Sequence, residues 1–368
     1  MLSIEIKNVI KNRLWEYLTS KGFPERSLYY YAEQQTYKAW MYNLAVKDED
    51  ELIEIYIFKE SLKGKIETKS SAKDSYSQDK PVNVFWVALN DNVEPNLEFR
   101  LVSSNAVGSV TTFQRYLNDL DSLVSGFGNS PDTNPSQQFY RGQGSIGWSL
   151  LPPVYRKING QKGINEEREM FYEAIRCCPS DFPSTMSTFD KLVKMQHYAL
   201  PTRLLNITTN PLVALYFACQ NTESKYAEIL IFDVPKKDVL NFEDKDVVVC
   251  SNIAKQPNGF TLSDLQGDVQ RENPQAVISS FQDLQKVVCV LPKLNNPRIS
   301  HQQGAFFLFG MQQTKAQCAT LNIVPRRIII NTSYRKNILQ QLSIFGINQS
   351  TLFPELDKVL SCIKSKEL

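Results

Sequence analysis

One stretch constrains this chain more than any other: Gln196–Ala218, QHYALPTRLLNITTNPLVALYFA. A His, an Arg, an Asn and three Thr stand between His197 and Thr209, mixed with large apolar residues. A buried helix has no use for an Arg or a His, and a solvated loop has none for so many apolar side chains. Further on the reading is simpler. Asn210 can cap a helix and Pro211 fits its first turn. Leu212–Cys219 is apolar almost all round, which predicts a buried helix. Its start follows His197, Arg203, Asn206, Thr208 and Thr209, so those polar groups share one place. The free N–H groups of a helix start favour an anionic ligand there.

The length of 368 residues suggests two domains with ample core. Net charge is +2, so bulk electrostatics points neither to a nucleic-acid binder nor to an enzyme for acidic substrates. A local basic groove stays compatible with that balance. No apolar run approaches the roughly 20 residues of a membrane span. The start, MLSIEIKNVIKNRLWEYL, has acids inside its apolar pattern and lacks the form of a signal peptide. The cytoplasm is the expected compartment. Seven cysteines, an odd number in a long chain, fit reduced thiols better than a disulfide framework. With two histidines, His197 and His301, and no CxxC pair, no metal site is expected.

Taken in order, residues 3–20 carry Ile4, Val9, Ile10, Leu14 and Leu18 at helical spacing. Strand patterns follow at Lys38–Val46, Glu51–Lys59, Lys63–Lys69 and Val82–Leu89. Residues 1–104 therefore read as a small α+β domain whose role the sequence leaves open. Tyr29, Tyr30 and Tyr31 suit a strand's packing surface, with base stacking as the other reading. Residues 105–368 form the second domain. Val110–Gly126 reads as a helix. Phe139–Gly142 reads as a strand running into a glycine turn, and its Arg141 is either an edge-strand surface residue or a bidentate anchor for phosphate. Glu166, Glu167 and Glu169 read as the solvated first turn of a helix capped by Asn165. Further strands are predicted at Glu228–Val234, Val247–Cys250, Val287–Leu291, Ala305–Phe309 and Arg327–Ile330. Ala254–Gln275 reads as a polar insert. Arg335–Phe345 and Ser350–Lys364 read as helices, the first ended by Gly346.

Phe139–Gln143, with Trp148, Leu150 and Pro152, followed by the Gln196–Ala218 stretch, resembles the FRG domain, a family named for a Phe/Tyr-Arg-Gly signature. The resemblance extends to RISHQQGAFFLF (Arg298–Phe309) and TLFPELDKV (Thr351–Val359), and so over most of residues 110–365. Two positions depart from the family pattern. Ala199 stands where members often have Gly, and Asn206 where they often carry Asp.

A more distant likeness supplies chemistry. A strand bearing Arg141, then Thr208–Thr209 leading into a helix, then a late polar pair, Gln302–Gln303, is similar in order to ADP-ribosyltransferases of the Arg–Ser–Glu type. That resemblance implies a mixed β core with helices and NAD as the substrate. It implies that Arg141 holds the pyrophosphate or ribose, that Thr208 or Thr209 takes the Ser/Thr role, and that Gln302 or Gln303 falls at the Glu position. A Gln can bond a ribose hydroxyl but offers neither base nor negative charge. His197 could supply the missing group, or the site could bind without reacting.

On this reading Arg141, His197, Thr208 and Gln303 are the catalytic candidates. Tyr140, Gly142, Gln143, Tyr198, Arg203, Asn206, Thr209 and Gln302 join Arg141 as cofactor-binding candidates. Each has a structural alternative. His197 is otherwise a ring satisfied by backbone bonds beside Tyr198, and Arg203 a residue bonding loop carbonyls. Tyr140 and Tyr198 are otherwise core aromatics, and Asn206 an Asx turn. The set is rich in donors and poor in carboxylates. That suits holding a dinucleotide and does not suit a two-carboxylate hydrolase or a metal nuclease. The function expected is transfer of ADP-ribose from NAD to nucleic acid or protein, by analogy as a toxin or phage-defence effector with an antitoxin or chaperone partner. The alternative is a non-catalytic FRG module that binds a nucleotide or nucleic acid.

Overall fold

Apolar strand segments build two large sheets in this protein. The computed structural model describes the strand segments 28–31, 36–39, 42–49, 52–59, 83–88 and 99–102, and then residues 110–124, 135–145, 148–158, 161–220, 226–323 and 325–365. The helix expected at 3–20 and the strand expected at 63–69 lie outside these residues. The first six segments are β1 (Leu28–Tyr31), β2 (Thr36–Ala39), β3 (Tyr42–Glu49), β4 (Leu52–Lys59), β5 (Asn83–Ala88) and β6 (Phe99–Val102). They pair in sequence order, each antiparallel to the next, as a meander. The tyrosine run belongs to β1.

The second sheet has seven strands. They are β7 (Ser136–Gln143), β10 (Leu204–Thr208), β11 (Tyr226–Pro235), β12 (Val239–Asn241), β13 (Val287–Leu291), β14 (Gly304–Phe309) and β15 (Arg326–Asn331). A short hairpin, β8 (Lys157–Ile158) with β9 (Gln161–Lys162), stands apart. The order is β12-β13-β14-β10-β7-β11-β15, antiparallel except for the parallel pair β12–β13. This is a mixed α+β architecture, as the sequence pattern predicts.

Period-two alternation sends each strand's side chains to two cores. From β11, Ala227, Ile229 and Ile231 meet one face, and Leu230, Phe232 and Val234 the other. On the first face, helices α1 (Phe113–Val124), α4 (Pro211–Gln220) and α8 (Arg335–Ile344) cover the β7-β11-β15 half. Helices α2 (Glu167–Cys177), α3 (Thr188–His197) and α5 (Lys245–Asn252) cover the strands from β13 to β10. Helix α4 is buried on nearly every side, as its composition predicts. Its start does not offer the expected anion site. Asn210 Oδ1 takes the N–H groups of Leu212 and Val213, at 2.9 and 3.4 Å, and Asn210 O takes that of Ala214. The glycine of the Arg-Gly pair exists for α4: a Cβ on Gly142 would stand 1.8 Å from the carbonyl oxygen of Ala214.

Several local expectations are corrected. Val247–Cys250 is not a strand but part of α5, where Val247, Val249 and Cys250 are wholly buried. Burial on several sides overrides the β preference of a valine run. The Ala254–Gln275 insert contains α6 (Leu262–Glu272), started by a capping box of Thr261 and Asp264. The residue at the cap of α2 is Glu166 and not Asn165, and a 3-10 turn, Gly163–Glu166, leads into the helix. The helix expected over Ser350–Lys364 is two, α9 (Gln349–Leu352) and α10 (Leu356–Ser365). Pro354 keeps Phe353 out of helical backbone, at φ −127° and ψ 80°, and cannot continue the helix. No helix among the described residues is long and apolar enough to cross a membrane.

Candidate functional site

The sheet splits in its middle. Strands β7 and β10 share a single register pair, Tyr140 with Thr208, while β7 stays bonded to β11 through Gln143 and β10 to β14 throughout. A cleft of about 340 Å³ opens in this split. It is lined from one face of the sheet by Tyr140, Asn206, Thr208 and Phe306, and from the other by Arg141, Leu205 and Ile207. Trp148 and Phe217 add aromatic walls.

Three guanidinium groups, Arg141, Arg156 and Arg298, line the cleft, and no carboxylate does. Arg141 crosses the split: its Nη1 donates to the carbonyl of Asn206 at 2.7 Å and its Nε to Gln143 Oε1 at 3.0 Å. Gln143 is buried behind it and donates to Glu228 Oε1 at 3.0 Å, and Glu228 pairs with Arg327. Burial and the nearby Arg156 lower the pKa of Arg141, against the pull of Glu228, and it remains a cation at neutral pH. Arg156 is held by the carbonyl of Leu151, at 3.0 and 2.9 Å.

The loop before β10 is ordered by side chains of the motif itself. Gln196 donates to the carbonyl of Leu204 at 3.0 Å and to Asn206 Oδ1, and it accepts from the Thr202 hydroxyl. Ala199 sits at φ 65°, in the left-handed region that glycine adopts without strain. Ala199→Gly is expected to stabilise the protein by about 0.5–1 kcal/mol, since a Cβ strains this conformation. Thermal unfolding checks this; a loss of stability would show that the methyl group is packed, not strained.

His197 ends α3 and lines the cleft. Its Nδ1 lies 2.9 Å from Asn296 Nδ2, at the start of α7 (Pro297–Gln302). Burial first, then the Arg298 cation, lower its pKa, against Glu355. The expected neighbour, Arg203, has no part in this. Arg298 is the nearby cation; its Nη1 donates to the carbonyl of His197 at 3.1 Å and its guanidinium lies over the Phe353 ring.

Of the candidates read from sequence, Tyr140, Arg141, Gly142, His197, Asn206, Thr208 and Gln302 meet at the cleft. Five stand elsewhere. Arg203 is fully buried, with Nε on Glu167 Oε1 at 2.8 Å and Nη1 on the carbonyl of Phe309 at 2.9 Å. Lys315 Nζ lies 3.2 Å from the same carboxylate. Glu167, expected on a solvated turn, is thus the centre of a buried triad. Gln143 is the layer behind Arg141, and Tyr198 is 73% exposed. Thr209 and Gln303 are tied together, Thr209 N to Gln303 O at 3.0 Å. Gln303 lies on no strand; it ends α7 at φ 46°, exposed. Gln302 also belongs to α7, and its amide donates to the carbonyl of Leu352 at 3.0 Å. The Thr208 hydroxyl donates to the carbonyl of Gln302 at 2.7 Å, fastening α7 to the end of β10.

Sequence reasoning missed Arg156, Gln196, Arg298 and, beside His197, Glu355. The signal was present in part: Arg156 closes the FYRGQGSIGWSLLPPVYR segment, Arg298 opens RISHQQG, and Glu355 sits inside TLFPELDKV. Among the described residues no three His, Cys, Asp or Glu side chains gather to hold a metal.

Fold and cleft together give an α+β architecture with a cleft, lined by three arginines, in a split sheet. Residues 136–227 match the FRG domain family. The match takes in β7 with its Tyr-Arg-Gly and the whole Gln196–Ala218 stretch. No curated protein and no solved structure matches the chain.

Proposed function

We propose that the cleft binds NAD and that the protein transfers ADP-ribose from it to a macromolecule, nucleic acid or protein. One observation carries this reading: Arg141, Arg156 and Arg298 converge on a single cleft with aromatic walls and no lining carboxylate. Guanidinium groups in a partly enclosed site recognise phosphate by charge and by paired N–H donors, and Trp148 offers a face for a ring. Arg141, Thr208 and Gln302 meeting in the same cleft supports the transferase analogy. In the reaction, the bond from ribose to nicotinamide breaks with its electron pair leaving on nicotinamide, and an acceptor nucleophile bonds the same carbon and loses a proton.

The absence of a lining carboxylate favours a second reading, a cleft that binds a nucleotide without chemistry. Calorimetric titration of the full chain with ADP and NAD, and assays of NAD consumption with and without RNA, DNA and protein, separate the two. Binding that weakens as salt rises, with label appearing on an acceptor, is the expected result. NAD bound but never consumed supports the binding module. Neither ADP nor NAD binding would sink both.

A further inference from the structure

A side chain in the middle of a sheet covered on both faces is normally buried, so an exposed one marks an opening. Strand β10 lies between β14 and β7. Its Leu204, Leu205, Ile207 and Thr208 are buried, and Asn206 among them is exposed. The split accounts for this. Strand β7 shares only the pair of Tyr140 with Thr208, and Asn206, beyond that pair, lines the cleft.

The neighbours of Asn206 fix which atom it turns to the cleft. The Leu204 N–H donates to Thr202 Oγ1 at 3.2 Å, and the Thr202 hydroxyl donates in turn to Gln196 Oε1. The carbonyl of Leu204 can only accept, and it takes Gln196 Nε2 at 3.0 Å. The Gln196 amide is therefore fixed at both ends, and the atom it gives Asn206 is a donor. Asn206 must answer with Oδ1, as it does. That leaves Nδ2, which only donates, and among the described residues none accepts from it. The exposed position of β10 thus presents a neutral N–H donor whose orientation two backbone groups of Leu204 dictate.

The backbone of the same residue holds a cation. Arg141 Nη1 donates to the Asn206 carbonyl at 2.7 Å, so guanidinium and amide meet at residue 206 from the two faces of the sheet. Both line the cleft, and no carboxylate does. A ligand atom received there meets donors and positive charge. An oxygen that only accepts fits, whereas a group that must donate finds no acceptor in the Asn206 side chain.

Resting on the nucleotide reading of the arginines, we infer that Asn206 is a specificity-determining residue whose Nδ2 donates to a phosphate oxygen of the nucleotide beside Arg141. Asn206→Asp isolates the donor. One carboxylate oxygen keeps the bond from Gln196, and the other turns a negative charge on the phosphate. The shape of the site stays and the sign of that atom reverses.

The test is calorimetric titration of the full chain with ADP and with adenosine, on wild type, Asn206→Ala and Asn206→Asp, with thermal unfolding to confirm that each is folded. For ADP, Asn206→Ala is expected to bind about tenfold more weakly than wild type, the loss of one bond to a charged group. Asn206→Asp is expected to bind about 100-fold more weakly, since repulsion adds to that loss. Adenosine, which has no phosphate, is expected to show no difference among the three. Asn206→Ala within about threefold of wild type for ADP overturns the inference, because the effect of Asp is then only the field of an added charge. Asn206→Asp binding ADP no more weakly than Asn206→Ala overturns it too, as does an equal loss for adenosine. In those cases wild type still binds ADP and the arginine reading stands; no binding of ADP by wild type removes both. Should Asn206→Ala fail to fold, Asn206→Val, which suits a strand and lacks the donor, takes its place.

Discussion

Glu167→Ala is expected to destabilise the protein by about 3–5 kcal/mol, measured by urea or thermal unfolding. The reason is two cations left without a counter-charge. Arg203 is fully buried and Lys315 nearly so, and both depend on the Glu167 carboxylate. Arg203→Ala should be milder, because Lys315 stays beside Glu167 and also donates to the carbonyl of Gln256 at 2.6 Å. The same carboxylate gives an acid dependence. Burial alone would raise its pKa, but Arg203 and Lys315 outweigh that and hold it below the ordinary value. A depressed folded pKa contributes stability that is present above the unfolded value, about 4.3, and is lost as pH falls through the folded one. Unfolding curves of wild type and Glu167→Ala should therefore converge in acid. Curves that stay parallel to low pH would show that Glu167 contributes by packing and not by charge.

Arg141→Ala is expected to weaken binding of ADP and NAD by about 100-fold while the protein remains folded. Its guanidinium lines the cleft, and its own structural bonds are few: one to the Asn206 carbonyl and one to Gln143. Losing those should cost about 1–3 kcal/mol of stability. Calorimetry and thermal unfolding of the same preparation read both effects. A change in affinity below tenfold with a large fall in stability would make Arg141 a clamp across the split between β7 and β10, and the cleft would need another anchor. The contrast with Arg203 is the sharper point. Two arginines of the motif region look alike on paper; one faces a cleft and the other a buried glutamate.

That contrast shows where reading residues reaches its end. The apolar run Leu212–Cys219 read as a buried helix and the apolar run within Glu228–Val234 as a strand, so these elements and the α+β class were legible. So was the concentration of polar groups around His197 and Asn206, because such residues are costly to bury without purpose. Gly142 was legible as a special position, though its cause, the backbone of Ala214, was not.

What needed the tertiary structure was direction and distance. Local periodicity says which face of an element is apolar, but not what stands opposite it. Arg203 and Glu167 are 36 positions apart, and only folding makes the second the partner of the first. The valine run of α5 has the local preference of a strand, and burial from several sides decides otherwise. His197, Asn296, Arg298 and Glu355 come from three distant segments and meet beside the cleft wall that His197 and Arg298 form. Sequence alone determined that this chain would carry polar groups into an apolar setting. The split between β7 and β10 decided which of them face a ligand, since a side chain's partner is set by long-range packing and not by its neighbours in the chain.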